Sequence, residues 1–270
     1  MPPKSRTYQP QKVRAALAAQ IGALRAVVDG LDDGRLELPT RLGDWRVREL
    51  LAHLAVQLDF LPAHLDDPLE GRVALDLTGW VAAVGTVAPA LDAQTRERAA
   101  AGFGGDAASV AEAFGRSADA LAGMLERPEV ADPERRLEIR LGSMLLSDLL
   151  VTRLVETVVH ADDLAQALGL PAFPHDRQAL AAVTRLLADA FADRAPGGAV
   201  ELRIPPYAVV QAVEGPKHTR GTPPNVVETD ALTWIRLATG RLGWAEAEET
   251  ASLSASGERS DLRAYLPVMR

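Results

Sequence analysis

Between residues 10 and 171 the apolar side chains recur every three or four positions, and beyond Pro171 the recurrence falls towards two. A period near 3.6 lines up one face of a helix, whereas a period of two lines up one face of a strand. A chain with these patterns in separate blocks is expected to build two units of different class. In the first block, Val13, Leu17, Ile21, Leu24, Val28 and Leu31 mark a helix over about 10–30, stopped by Gly30 and Gly34. A second helix is expected after Asp44 as N-cap, through Leu50, Leu51 and Leu54 to about Leu65, with Pro62 kinking or ending it early. Helices over about 74–97 and 106–127 follow, the latter with Val110, Phe114, Leu121 and Leu125 as its stripe. A loop with Pro128 and Pro133 covers about 128–142, and a long helix covers about 144–168, closed by Gly169 and Pro171. Residues 1–172 therefore read as an all-α up-down helical bundle.

After one more helix over about 176–194, strands are expected at Ala199–Ile204, Tyr207–Val213, Asn225–Glu228 and Ala251–Ala255. Pro205 and Pro206 break any continuous central strand and imply a bend or an edge. A helix capped by Thr229 or Asp230 and closed by Gly240, and a last helix over Ser260–Leu266, complete residues 173–270 as a small α+β domain.

A length of 270 residues suits two domains, and 47% hydrophobic with 24% charged residues is ordinary for folded protein. The net charge of -8 argues against a nucleic-acid partner, which asks for a basic stripe. Lys4, Arg6, Lys12 and Arg14 precede an Ala-rich segment interrupted by Gln20 and Arg25, unlike the unbroken apolar core of a signal peptide. No apolar run approaches the ~18 residues of a membrane span. With no cysteine at all, disulfides and cysteine nucleophiles are excluded, a metal must be held by His and carboxylates, and a cytoplasmic location is expected.

Glu156 and His160 are four residues apart on the long helix, hence one turn apart on one face. Such a pair is either a set of metal ligands from one helix or an ordinary surface pair. His53, mid-helix among Leu50, Leu51 and Leu54, points inward and is the candidate third ligand, with Gln57 and Phe60 sharing its face. Two histidines and one carboxylate leave a coordination position open, a pattern of catalytic sites for which zinc is the leading ion. Asp163 either orients His160 through its other ring nitrogen or is a solvated residue of the last turn. His64 is expected to be exposed, and His175 and His218 have no assigned role. Trp80 and Trp244 line a pocket or belong to the core. Gly102–Gly105 follows a helix instead of a strand, which excludes a phosphate loop.

Two segments, Trp45–Leu54 and Glu156–Leu164, resemble the signature segments of the mycothiol-dependent maleylpyruvate isomerase family. The resemblance implies a DinB-like bundle that binds a divalent metal, with the ligand positions falling on His53, Glu156 and His160. Asp163 matches the acidic position of the family's motif, while Asp162 stands where an apolar residue is usual. Thr222–Asp230, Ala238–Arg241 and Ala255–Glu258 are similar to bacterial sterol-carrier-like domains. Arg241 either aims a bidentate guanidinium at a substrate carboxylate, a catalytic role, or satisfies the end of the preceding helix.

The resemblance further implies a thiol cofactor, mycothiol, with its sulfur on the metal. In the family's isomerase the thiolate adds to an activated double bond, and rotation and elimination give the trans isomer. The expectation is a metal- and thiol-dependent isomerase or thiol transferase acting on a small-molecule substrate. The alternative is a non-enzymatic carrier whose C-terminal domain binds an apolar ligand such as a lipid.

Overall fold

The computed structural model describes residues 6–67, 72–217, 221 and 223–269; Lys4, His218 and Thr222 lie outside them. The contacts divide the chain into two compact units. One comprises Tyr8–Asp76 and Thr86–Ala179, the other Met1–Thr7, Leu77–Gly85 and Leu180–Arg270.

The first unit is helical. Its frame consists of α1 (Pro10–Val28), the one-turn α2 (Asp33–Leu36) and α3 (Val47–His64). The expected helix over 74–97 is two helices, α4 (Leu77–Ala83) and α5 (Ala88–Gly102), parted by a 3-10 turn at Val84–Val87. Pro89 in the first turn of α5 explains the break, because proline is tolerated where its missing N–H has no partner and not further inside. α4 falls in the other unit and α5 in this one. Next come α6 (Ala107–Leu125), capped by Asp106 accepting from the Ser109 N–H at 2.9 Å, and α7 (Leu146–Ala167). Val110, Phe114, Leu121 and Leu125 are all buried, as their spacing implies. α3 packs against α5, α6 and α7, and α1 against α6 and α7. Leu50, Leu51, Leu54 and Leu58 of α3 are fully enclosed. Each contributes about 1.5–3 kcal/mol relative to exposure.

Two local expectations are corrected. α3 begins at Val47, so Asp44 does not cap it and Trp45 lies outside it. Thr40 N–H and Oγ1 both donate to the Trp45 carbonyl, and Arg46 bridges Pro39, which holds 40–46 as a closed loop. Pro62 neither ends nor shortens the helix, which runs on to His64. The expected loop over 128–142 holds a 3-10 turn and a hairpin, β1 (Arg136–Ile139) with β2 (Gly142–Leu145). Leu137 and Met144 face each other across it and are buried, and Gly142 supplies the positive φ of 123° at the tight turn.

The C-terminal part contains α8 (Arg177–Arg194) and a four-stranded sheet of β3 (Val200–Ile204), β4 (Ala208–Ala212), β5 (Val226–Thr229) and β6 (Leu253–Ser256). The strand order is β4-β3-β5-β6, with β3 and β5 parallel and the other pairs antiparallel. Pro205 and Pro206 lie in the turn that sends the chain back as β4, an edge strand. Asp230 caps α9 (Ala231–Ala238), accepting from the Leu232 and Thr233 N–H groups. Trp234 of α9 meets Phe191 of α8 edge-on at 5.6 Å between ring centroids, a pairing that anchors this core. A short α10 (Trp244–Glu249) was not expected, and the expected helix over 260–266 is only a 3-10 turn at Arg263–Tyr265. Trp80 and Trp244 are both buried. No described helix is long and apolar enough to cross a membrane.

Asp148, in the first turn of α7, gives a test of this packing. Burial, with Asp76 adding repulsion, holds its carboxyl above the ordinary range, so desolvation outweighs the favourable helix dipole there. A raised folded pKa means that ionisation opposes folding. The penalty is absent below the usual carboxylate pKa of about 3.9 and complete above the raised value. Asp148→Asn should therefore raise the melting temperature at pH 7 and leave it unchanged near pH 3; thermal unfolding across that range checks it.

Candidate metal centre

α3 and α7 each turn polar side chains into the interior of the helical unit, and those side chains meet. His53 comes from the middle of α3, Glu156 and His160 from successive turns of α7. Glu156 Oε2 lies 3.3 Å from His53 Nε2 and 3.3 Å from His160 Nε2. One ligand atom from each residue falls within 4.8 Å of the others. The two imidazoles stand edge to face with centroids 4.7 Å apart. His53 and Glu156 are 4% and 7% exposed, so a surface pair is excluded.

The outer contacts define which ring nitrogens face inward. His160 Nδ1 lies 2.8 Å from Asp163 Oδ2, and Asp163 is fully buried. Asp163 Oδ1 accepts from Arg41 Nε at 2.5 Å, and Asp162 Oδ2 from Arg41 Nη2 at 2.5 Å. A carboxylate paired with arginine accepts and does not donate, so His160 carries a proton on Nδ1, and the neutral ring turns its Nε2 lone pair inward. His53 Nδ1 lies 3.1 Å from Thr95 Oγ1 on α5; donating there leaves its Nε2 lone pair facing Glu156 as well. Two imidazole lone pairs and a carboxylate oxygen then point at one another. That donor set needs a cation among them, either shared protons or a metal ion. Ligand atoms about 2.0–2.2 Å from a tetrahedral zinc lie roughly 3.3–3.6 Å from one another, and both separations from Glu156 Oε2 match.

The electrostatics agree for two of the three ligands. Burial pushes the His53 imidazolium down, further than Glu156 pulls it back. Burial acts on His160 too, but hydrogen bonds to Asp163 and Glu156 outweigh it and raise its pKa. Burial alone would raise the Glu156 carboxyl, yet hydrogen bonds from His160 and His53 hold it well below the usual range. The carboxylate is thus held ionised and the His53 ring favoured neutral, the forms that ligate, whereas Asp163 and Glu156 favour the protonated His160 ring, whose Nε2 proton an incoming metal ion would have to displace.

Three further residues frame the centre. Trp45 lies against His53 at 5.2 Å between centroids and donates its indole N–H to Asp92 at 2.7 Å. Gln57 and Arg153, buried beside the ligands, contact each other. Arg41 and Thr95 gave no signal in the sequence, since Arg41 lies 122 positions from Asp163 and Thr95 42 from His53. Gln57, one turn beyond His53, and Arg153, three residues before Glu156, share helices with the ligands and were open to a helical-face reading.

The remaining histidines stay apart from this cluster. His64 is half-buried, short of the exposure expected, and pairs with Asp67 at 2.8 Å. His175 joins the buried Gln20 at 3.1 Å, a contact that ties the end of the unit to α1. The turn after Gly102 offers carbonyls to the Arg48 guanidinium instead of N–H groups to a phosphate. Arg241, in the C-terminal unit, donates from Nη1 to the Thr239 carbonyl at 2.9 Å, at the end of α9.

Residues 17–165 match the model of the mycothiol maleylpyruvate isomerase N-terminal domain, more than half of the chain. The chain belongs to that family. A second model, that of the bacterial SCP ortholog, matches residues 176–268, so mycothiol maleylpyruvate isomerase-like and sterol-carrier-like parts follow each other as the motifs imply. A crystal structure of the mycothiol-dependent maleylpyruvate isomerase superposes with a TM-score of 0.60 at 13% identity, covering 94% of this chain and 95% of that one. The structure of a single-histidine mutant of that isomerase gives 0.59 at 14%, with the same coverage. At such identities the likeness is one of fold, and it extends over both parts. No curated protein matches the chain in sequence. The mycothiol maleylpyruvate isomerase family is named for an enzyme, in accord with the expectation of an isomerase-like enzyme drawn from the motifs.

Arg41 forms ion pairs with two buried carboxylates in this shell, Asp162 and Asp163. Arg41→Ala would leave Asp162 and Asp163 without it, a change that costs about 3–5 kcal/mol when a buried charge loses its partner. Urea denaturation should show a clear drop in midpoint; an unchanged midpoint would contradict the clamp.

Proposed function

We propose that this chain is a metal- and thiol-dependent isomerase or thiol transferase, with His53, Glu156 and His160 as the ligands of one divalent ion. The observation that carries the reading is the inward convergence of three ligating atoms within 4.8 Å. Zinc is the leading ion, since two imidazoles and a carboxylate in tetrahedral reach suit it. Such an ion lowers the pKa of a bound thiol, so that the nucleophilic thiolate is available at neutral pH.

The chain's own residues perform the remaining tasks. Asp163 holds a proton on His160 Nδ1, and the Arg41 ion pair keeps Asp163 in place. Thr95 holds the outer nitrogen of His53, while Trp45 covers that ring. With no cysteine in the chain, the thiol has to be supplied from outside. Mycothiol is the proposed cofactor, on the strength of the family match, and maleylpyruvate, the substrate of the isomerase with the same fold, is the first compound to assay. Arg241 supplies a planar guanidinium for a substrate carboxylate.

The carrier alternative draws on the sterol-carrier-like match over residues 176–268. The groove described in that part, about 530 Å³, is open and mixed, with the acidic Glu228 and Asp230 beside Pro205, Val226 and Ala251, unlike the closed apolar tunnel a lipid would occupy. A lipid retained in native mass spectrometry would revive it.

Protein purified without chelator should contain one equivalent of divalent metal by elemental analysis, and His53→Ala should reduce the content to background while remaining folded. Metal-free parent protein that also fails to take up added zinc would sink the reading.

A further inference from the structure

Gln57 lies one turn beyond His53 on α3, so the two side chains share a face. Its amide has one oxygen, which accepts, and one nitrogen, which donates twice. Arg153 of α7 reaches Gln57 from the other side: its Nη1 donates to Gln57 Oε1 and lies 3.4 Å from the Gln57 main-chain oxygen. A guanidinium has five donors and no acceptor, so the amide oxygen must face Arg153 and the amide nitrogen must face away from it. That nitrogen points at the metal centre, 3.5 Å from His53 Nε2. The contact is at the outer limit of a hydrogen bond and uses the lone pair that a metal ion takes. Once that lone pair is engaged, the Gln57 N–H groups still face the centre, buried and in need of an acceptor.

Arg153 is unusual in its own right. Gln57 and Arg153 are 4% and 7% exposed, and no carboxylate forms an ion pair with Arg153 among the described residues. Its other contacts are to Thr152 Oγ1, at 3.3 Å from Nε and 3.2 Å from Nη2, a neutral acceptor. A buried cation balanced only by neutral groups and by the field of Glu156 favours further negative charge nearby. A divalent ion on the three ligands strengthens that preference, since the single Glu156 carboxylate leaves the ion plus Arg153 with net positive charge.

We propose that Gln57 donates a hydrogen bond to the anionic ligand at the open coordination position, a thiolate, and that Arg153 is the positioning residue that fixes the amide with its nitrogen inward. The inference rests on the metal reading above and deepens it by assigning what recognises the incoming sulfur. Gln57 selects the deprotonated thiol, because its N–H groups and the Arg153 charge both stabilise an anion and give nothing to a neutral S–H.

The test uses the full chain loaded with Co2+, with 2-mercaptoethanol as the thiol probe and the sulfur-to-cobalt charge-transfer absorption as the readout. Gln57→Leu, close in volume, should keep Co2+ affinity within about 3-fold of the parent and weaken thiolate binding by ~10-fold or more, the effect of losing a hydrogen bond to a charged group. Arg153→Met should weaken it similarly with Co2+ affinity kept, and Arg153→Lys should restore part of the loss. Unaltered thiolate binding in Gln57→Leu overturns the inference and leaves the metal reading intact. Loss of Co2+ binding in that variant also overturns it, since Gln57 would then support the ion itself. A parent chain that binds no Co2+ removes the metal reading and this inference together.

Discussion

Glu156 carries an ionised carboxylate into the interior of a helical bundle whose other inward side chains are mostly leucine and valine. Removing such a charge from water costs several kcal/mol even after relaxation, and only paired or ligating groups make up the difference. The two imidazoles at 3.3 Å are those groups, and they come from two helices that the apolar stripe of α3 presses together. The arrangement of α3, α5 and α7 is therefore tied to the chemistry at their centre. A shift of one helix by a fraction of a turn would strand the carboxylate. Each imidazole is in turn held by its outer nitrogen, His53 by Thr95 of α5 and His160 by Asp163 of α7, so rotation of either ring breaks a second contact.

The loop from Pro39 to Arg46 has a larger part than its length implies. It contributes Arg41 to Asp162 and Asp163 at one end and Trp45 to His53 at the other. Both candidate histidine ligands thus feel the same closed loop, through different contacts. Asp162, which stands where the family usually has an apolar residue, is accommodated because Arg41 holds it alongside Asp163. A buried acid in place of a hydrophobe would otherwise be costly, and the guanidinium fork has donors for both.

What the sequence disclosed follows the range of the interactions. Helix faces are local, so α1, α6, α7 and the positions of His53, Glu156 and His160 were readable from spacing, and the structure brings those three together. The change of pattern beyond Pro171 likewise marked the part of the chain that holds the four-stranded sheet, which starts at Val200 after α8. The hairpin over Arg136–Leu145 was hidden because four-residue strands show too little alternation, with two prolines just upstream suggesting a loop. The start of α3 was misplaced because Asp44 has an N-cap's side chain, while the closure of 40–46 depends on a bridge back to Pro39. Asp163 was left between two roles, since its burial depends on Arg41, which is distant in the chain. Long-range pairings of this kind leave no local periodicity to read.

The structure describes a centre in which two imidazoles and a carboxylate converge within 4.8 Å, close enough to hold one small cation, in a chain that belongs to the mycothiol maleylpyruvate isomerase family. The most direct test is a crystal structure of the zinc-soaked protein with anomalous diffraction at the zinc edge. The account predicts a single strong anomalous peak about 2.0–2.2 Å from His53 Nε2, His160 Nε2 and a Glu156 carboxylate oxygen. A map with no peak among these three side chains, or with zinc bound only elsewhere on the surface, would contradict it.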